Sequence, residues 1–251
     1  MELVILNLTN RVPEIDTHTH TVISGHAWST LSENVFAARQ KGLKGICLTE
    51  HGPEMPSGAP SYTPLSQTMV PEEIDGIRIY KGIEANIIDF YGRMDINDEY
   101  LSYCEFVIAS IHRPVLDGGT IEQNTYAYIN ALQNPHVDTL GHPEDPKVPC
   151  DLESIIKEAV KQNKLLEMNN NSLSAIRTGS MSSLVKYINL SKQMQARVCV
   201  ASDAHFYNMV GNVSPIMRLL DELQYPPELI VNLTLKNFES YLSERKSRLK
   251  S

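Results

Sequence analysis

Residues 14–30 read EIDTHTHTVISGHAWST and place three histidines, His18, His20 and His26, within nine positions of a chain that holds only eight. Side chains alternate across a β-strand, so with EIDTH as a strand His18 and His20 emerge on one side, and Asp16 lies one step deeper on the same side. Two imidazoles so placed can share one metal ion. The spacing returns at the other end of the chain, in RVCVASDAH, where Asp203 and His205 follow an apolar run two positions apart.

Between these stretches, short β-rich runs alternate with helical patterns, the signature of βα units around a parallel sheet. Strands are predicted at 14–18, 44–50, 77–84, 106–111, 137–141, 164–169 and 197–202. Apolar residues at three- and four-residue spacing predict helices at 31–42, 122–134, 152–163 and 181–194, and two more after the last strand. Ser29 and Ser32 are candidate N-caps for the first of these. Residues 52–71, rich in Pro, Ser and Gly, read as the one long irregular loop. No repeat, low-complexity tract or composition break divides the 251 residues, so one domain spanning 1–251 is expected. Periodicity leaves open whether the seven units close as a barrel or lie open as a doubly wound sheet.

Composition narrows the class. With 42% hydrophobic residues and a mean hydropathy of -0.23, the chain can bury a sizeable core, which argues against disorder. No apolar run approaches the roughly 20 residues of a membrane span. The start, MELVILNLTNR, lacks a basic leader or a small-residue cleavage site, so a cytoplasmic location is expected. Cys47, Cys104, Cys150 and Cys199 form no C-x-x-C pair and read as reduced thiols. A net charge of -8 argues against broad nucleic-acid binding.

The C-terminal ends of the predicted strands carry His18 with His20, His51, Glu84, His112, His142, and Asp203 with His205, leaving only the sixth strand without such a residue. Parallel α/β folds build their active sites at those ends. Any one strand-end histidine reads as an ordinary hydrogen-bonded packing residue, but the whole set on one rim reads as a metal centre. His136, just before the fifth strand, belongs at the opposite end and is expected to cap a helix or lie on the surface. His26 sits in the loop after the first strand, where Gly25 permits a turn back over the rim without requiring it.

The segments DTHTHT, LTEHG, GIEAN, SIHRP, GHPE, EMNNNS and ASDAH resemble, in order, the motifs of the PHP (polymerase and histidinol phosphatase) superfamily. GHAWSTLS and KGIEANI are most similar to the YcdX-type branch of small bacterial phosphatases. The resemblance runs from about Asp16 to the C-terminal helices. It implies a distorted (β/α)7 TIM-like barrel with a trinuclear metal site on the C-terminal rim, usually zinc (Zn2+), with iron and manganese (Mn2+) known in relatives. It implies His18, His20, Glu84 and Asp203 on one ion, Glu84 bridging to a second on His112 and His142, and His26, His51 and His205 on a third. All nine positions are intact, which weighs against a non-catalytic metal-binding module. Glu50 stands where the family often has Asp; one residue before His51, it faces away and is expected to leave ligation unchanged.

Three divalent ions would bring the formal -8 to about -2 and focus positive charge on the rim. Such a cluster suits phosphoric monoester hydrolysis of a small phosphorylated metabolite, with a hydroxide between the ions joined by Glu84 as nucleophile. Glu84, Asp203 and His205 are the expected catalytic residues. Arg177 and Arg113 are candidates for clamping the phosphate. Glu167 and Asn169 are expected to position a ligand histidine rather than touch substrate. The alternatives are a phosphodiesterase or exonuclease, or a histidinol phosphatase; a homo-oligomer is compatible with either.

Overall fold

The computed structural model describes residues 12–174, 177 and 179–250. Seven strands run parallel in the order β1 (Ile15–Thr19), β2 (Gly45–His51), β4 (Ile77–Asn86), β5 (Phe106–Ser110), β6 (Thr139–Leu140), β7 (Leu165–Asn169) and β8 (Val198–Ala201). They match the seven read from the sequence. An eighth, β3 (Glu73–Ile74), pairs antiparallel with β4; two residues are too few to carry a visible alternation.

The sheet curls until its first and last strands meet, forming a nearly closed barrel rather than the open alternative. The seam is irregular: a parallel bridge joins Thr19 to Ala204, and the His20 N–H donates to the Ala204 carbonyl at 2.9 Å. Lower down, Asn232 stitches the gap. Its Nδ2 donates to the carbonyls of Ile15 (2.8 Å) and Val200 (2.6 Å), and its Oδ1 accepts from the Val200 N–H at 2.9 Å. One side-chain amide thereby does what a neighbouring strand's backbone would, satisfying buried polar groups that would otherwise be orphaned.

The expected helices are present as α1 (Leu31–Gln40), α4 (Ile121–Gln133), α5 (Leu152–Lys161), α6 (Ser180–Gln193), α7 (Ser214–Glu222) and α8 (Leu235–Arg248). Thr30, not Ser29 or Ser32, caps α1. Its hydroxyl accepts from the Glu33 N–H at 3.4 Å while the Glu33 carboxylate accepts from the Thr30 N–H at 2.7 Å, a reciprocal box that satisfies two end donors. Ser29 instead accepts from the Tyr207 N–H at 2.8 Å. The run 52–71 is not wholly irregular either, since α2 (Thr63–Gln67) starts at Thr63 with a proline in its first turn. A one-turn helix, α3 (Asp98–Leu101), precedes β5.

The two ends of the barrel differ in chemistry. At the N-terminal end, Ile15, Cys47, Tyr80, Phe106, Leu165 and Cys199 pack against Phe238, Tyr241 and Leu242 of α8, so that helix plugs the base. Asp138 anchors it, accepting from Arg245 Nε (2.7 Å), Arg248 Nη2 (2.9 Å) and the Tyr241 hydroxyl (2.9 Å). Alternate positions further along the same strands turn polar: Tyr80 leads to Glu84, Phe106 to Ser110, and Cys199 to Asp203 beyond the end of β8. The apolar plug therefore fixes which side chains rise into the opposite mouth. All four cysteines are free thiols.

Candidate metal centre

Glu84, buried at the C-terminal end of β4, stands at the middle of the mouth. Its Oε2 faces His51 Nδ1 (2.8 Å), His18 Nε2 (3.2 Å) and His20 Nε2 (3.6 Å). Its Oε1 faces His112 Nε2 (3.2 Å) and His142 Nε2 (3.3 Å). Asp203 Oδ1 lies 3.4 Å from His20 Nε2 and 3.7 Å from His18 Nε2. His205 Nε2 is 3.1 Å from His26 Nε2 and 3.4 Å from His51 Nε2. The structure thus brings together all nine residues singled out on the rim, including the loop residue His26. His136 lies at the opposite end, its N–H donating to Asn134 Oδ1 at 2.8 Å and its carbonyl accepting from Arg245 at 3.2 Å. It is half-buried and does not cap α4, whose C-cap is Asn134.

The donor set fits cations. His18 Nε2, His20 Nε2, His51 Nδ1, His142 Nε2 and Glu84 Oε2 are buried without a hydrogen-bond partner, although each lies close to other members of the cluster. Lone pairs aimed at shared points between them are what a cation would satisfy. Within 4.8 Å of one another stand the donor atoms of His18, His20 and Glu84, of His20, His51 and His205, and of His51, Glu84 and His112. A nitrogen-rich set with carboxylates suits zinc or a borderline transition metal better than magnesium or calcium.

Electrostatics agree. Burial pushes the Glu84 carboxyl up, but His18, His112 and His51 outweigh it and hold the group well below the usual carboxylate range. Burial works against a charged His18, yet Glu84, Glu167 and Asp203 raise it well above the ordinary imidazole value. Burial, reinforced by neighbouring His51 and His205, brings His26 down to about 4. The carboxylates therefore favour positive charge on His18, while His20, held well below its ordinary value by burial and by His51 and His205, and His26 stay neutral and free to donate a lone pair.

Local structure holds these groups in place. His142 (φ 34°) and Asp203 (φ 54°) adopt left-handed backbone that non-glycine residues rarely take, each turning a side chain inward just past a strand end. A Cβ at Gly141 would lie 2.1 Å from Ser110 Oγ, so only glycine lets this loop approach Glu84. Glu167 Oε1 is 2.6 Å from His18 Nδ1, while its Oε2 accepts from the His142 N–H and from Asn169 Nδ2, both at 2.9 Å. The sixth predicted strand, which carried no ligand, thus supplies a carboxylate that orients two of them.

One further positioning group, Asn86, is not singled out by the sequence, and a second, Glu50, has a role that its parity does not show. Asn86 Oδ1 lies 2.7 Å from His112 Nδ1, and its Nδ2 donates to Asp95 Oδ2 at 2.5 Å. The signal was there in GIEAN, where Glu84 and Asn86 share a strand face as His18 and His20 do. Glu50 faces away from the cluster, as expected, but is not inert: it accepts from Thr21 Oγ1 (2.6 Å) and Ser24 Oγ (2.5 Å), and Ser24 Oγ lies 3.2 Å from His20 Nδ1.

The cluster floors a cavity of about 470 Å³. Arg177 lines it, its Nη2 donating to Asp203 Oδ2 at 3.0 Å. Arg113 does not line it: its guanidinium is captured by Asp117, four residues on in the loop after β5, at 2.9 Å, on the exposed surface. The remaining wall includes Trp28, Met55, Phe206 and Met209, which the sequence reading did not single out.

Residues 16–171 match the model of the PHP domain, and the chain belongs to that family. It is 42% identical over 236 residues, 94% of this chain and 93% of the relative, to a "Probable phosphatase" of Caldanaerobacter subterraneus subsp. tengcongensis. A "Probable phosphatase" of Caldicellulosiruptor saccharolyticus is 42% identical over 229 residues, 91% of this chain and 95% of the relative. Among solved structures, the histidinol phosphate phosphatase of Lactococcus lactis subsp. lactis, complexed with zinc, L-histidinol and phosphate, superposes with a TM-score of 0.57 at 17% identity, covering 84% of this chain and 93% of that one. An archaeal ribonuclease P chain superposes with a TM-score of 0.59 at 13% identity, covering 94% of this chain and 93% of that one. At such identities the two superpositions speak to the fold alone. Among the described residues, no helix is long and apolar enough to cross a membrane.

Proposed function

We propose that the protein is a metal-dependent phosphatase that hydrolyses phosphoric monoesters of small metabolites. The observation that carries this is a buried ring of unpartnered nitrogen and carboxylate donors forming the floor of a cavity that also admits an arginine. His18, His20, Glu84 and Asp203 would hold one cation, Glu84 with His112 and His142 a second, and His26, His51 and His205 a third. Zinc suits this set best, with manganese or iron also compatible. Bound there, the ions supply positive charge for the phosphoryl oxygens and lower the pKa of water to generate the nucleophile.

The chain's own groups complete the site. Glu84 spaces the histidines by presenting one oxygen to each side. Asp203 fixes one edge of the Arg177 guanidinium, and Arg177 Nη1, buried and without a hydrogen-bond partner among the described residues, is left to donate to a phosphoryl oxygen. His205 is partly exposed and His26 more so, placing both at the entrance rather than the floor. The net charge of -8 favours a compact phosphate, drawn in by a local positive site, over a polynucleotide needing a basic strip. Measuring bound metal per chain and screening monoesters and diesters with wild type and His18→Ala tests the proposal. Bound transition metal and monoester turnover, both reduced in His18→Ala, are expected; no bound metal and no turnover of either ester class would overturn it.

A further inference from the structure

Resting on the phosphatase reading, we propose that the alcohol released by this enzyme carries a flat aromatic ring, seated against Trp28 and Phe206. A phosphoryl group fills only a fraction of the 470 Å³ cavity, so the rest must receive the leaving group. Beyond the cluster and Arg177, that space is walled by Trp28, Met55, Phe206 and Met209. Beyond the cluster and Arg177, the one side-chain amide or hydroxyl among the described lining residues is Asn171, and its Nδ2 is already engaged by the Asp203 carbonyl at 2.8 Å. A polyol in this space would set its hydroxyls against carbon, losing hydrogen bonds to water without replacement. A flat ring gains aromatic contact, and methionine sulfur adds favourable edge contacts.

The two aromatic residues are not incidental surface. Trp28 is 79% exposed and Phe206 41%, large apolar faces left open at the rim of a polar site. Both are tied to the entrance: the Trp28 N–H donates to the His205 carbonyl at 2.8 Å, and Phe206 follows His205 directly. They stand beside the histidines nearest solvent, where the ester's organic end must project once its phosphate is held on the floor. A rigid aromatic wall there recognises a ring at little entropic cost.

The test compares esters whose alcohols are all alkyl, so that leaving-group acidity does not mimic recognition: 2-phenylethyl phosphate against glycerol 3-phosphate, and adenosine 5′-monophosphate against ribose 5-phosphate. Metal-loaded wild type is expected to favour the ring-bearing member of at least one pair by roughly tenfold in kcat/KM, mostly through KM. Which pair shows the preference tells a carbocycle from a nucleobase. The preference should fall towards unity in Trp28→Ala and Phe206→Ala and persist in Trp28→Phe, with unchanged melting temperatures confirming the folds. Turnover without a preference in either pair, or a preference that survives both alanine variants, overturns the proposal. Turnover of no ester sinks the phosphatase reading and this inference with it.

Discussion

Replacing Glu167 by Gln isolates what a carboxylate outside the proposed metal ligands does for them. The side chain is fully buried, and it joins two of the proposed ligands: Oε1 takes His18 Nδ1 at 2.6 Å, and Oε2 takes the His142 N–H at 2.9 Å. With Nδ1 donating to the carboxylate, the lone pair of His18 is left on Nε2, which faces Glu84 and Asp203. Glutamine keeps the shape but offers one acceptor oxygen where the carboxylate offers two, so either His18 or the His142 backbone meets an amide N–H. Losing such an orienting partner typically weakens metal binding about 10- to 100-fold, or ~1.4–2.7 kcal/mol. Glu167→Gln should therefore shift a competitive chelator titration by one to two orders of magnitude relative to wild type, with circular dichroism unchanged. The loss should centre on the ions contacted by His18 and His142, leaving that of His26, His51 and His205 less affected. Wild-type affinity in the Gln variant would refute the idea that Glu167 sets the His18 tautomer.

Three further tests probe other parts of the molecule. Asn86→Ala removes the acceptor for His112 Nδ1 and should weaken the ion shared by His112 and His142, read as lower metal stoichiometry, while the His26 group retains its own. Asp138→Asn strips the charge that pairs Arg245 and Arg248 at the base of the barrel; it should destabilise the fold by about 3–5 kcal/mol in urea unfolding, yet leave kcat per folded molecule unchanged. Lys164, brought down to about 7 by burial, carries the opposite sign from a usual ion pair. Between that value and its ordinary one near 10, the unfolded chain holds a proton that the folded chain has released, so stability gained at this position rises with pH. The stability advantage of Lys164→Met over wild type should be largest at neutral pH and shrink by pH 10. The three backbone carbonyls around Nζ temper the effect, and a difference flat across that range would show them holding the ammonium charged.

How much of this was visible beforehand follows from what alternation can and cannot encode. Period two puts His18 beside His20 and Asp203 beside His205, and a parallel α/β pattern puts strand ends on one rim, so the gathering of those side chains and the distance of His136 are legible in the residues themselves, while only the family resemblance favours His26. The seam is not, because it rests on an isolated bridge and on the Asn232 side chain from beyond β8, and no periodicity marks either. Glu50 was read from its parity alone, which says where a side chain leaves the strand and nothing of what it reaches. Its partner Ser24 sits in the loop that returns His26 to the rim. There Gly25 has φ of 72°, and a Cβ on it would lie 2.2 Å from the Ser57 carbonyl oxygen. Arg113 lies outside the cavity for a related reason, since Asp117, four residues on, satisfies its guanidinium locally.

The position of the seam gives the site a second consequence. β1 and β8 are held by one isolated bridge, a few backbone bonds and Asn232, without the regular ladder that joins the other parallel neighbours. Directly above it, His18 and His20 from one edge meet Asp203 and His205 from the other, and Ser202 Oγ donates across the same gap to Asp16. The same pairing that makes a donor set therefore spans the place where regular hydrogen bonding is thinnest. A cation bound between the two edges would close a loop running through nearly the whole chain, where constraint of the unfolded state counts most. Ions held there would serve the architecture as well as the chemistry: the residues that would bind them join the two edges of the sheet where only an isolated bridge pairs the strands.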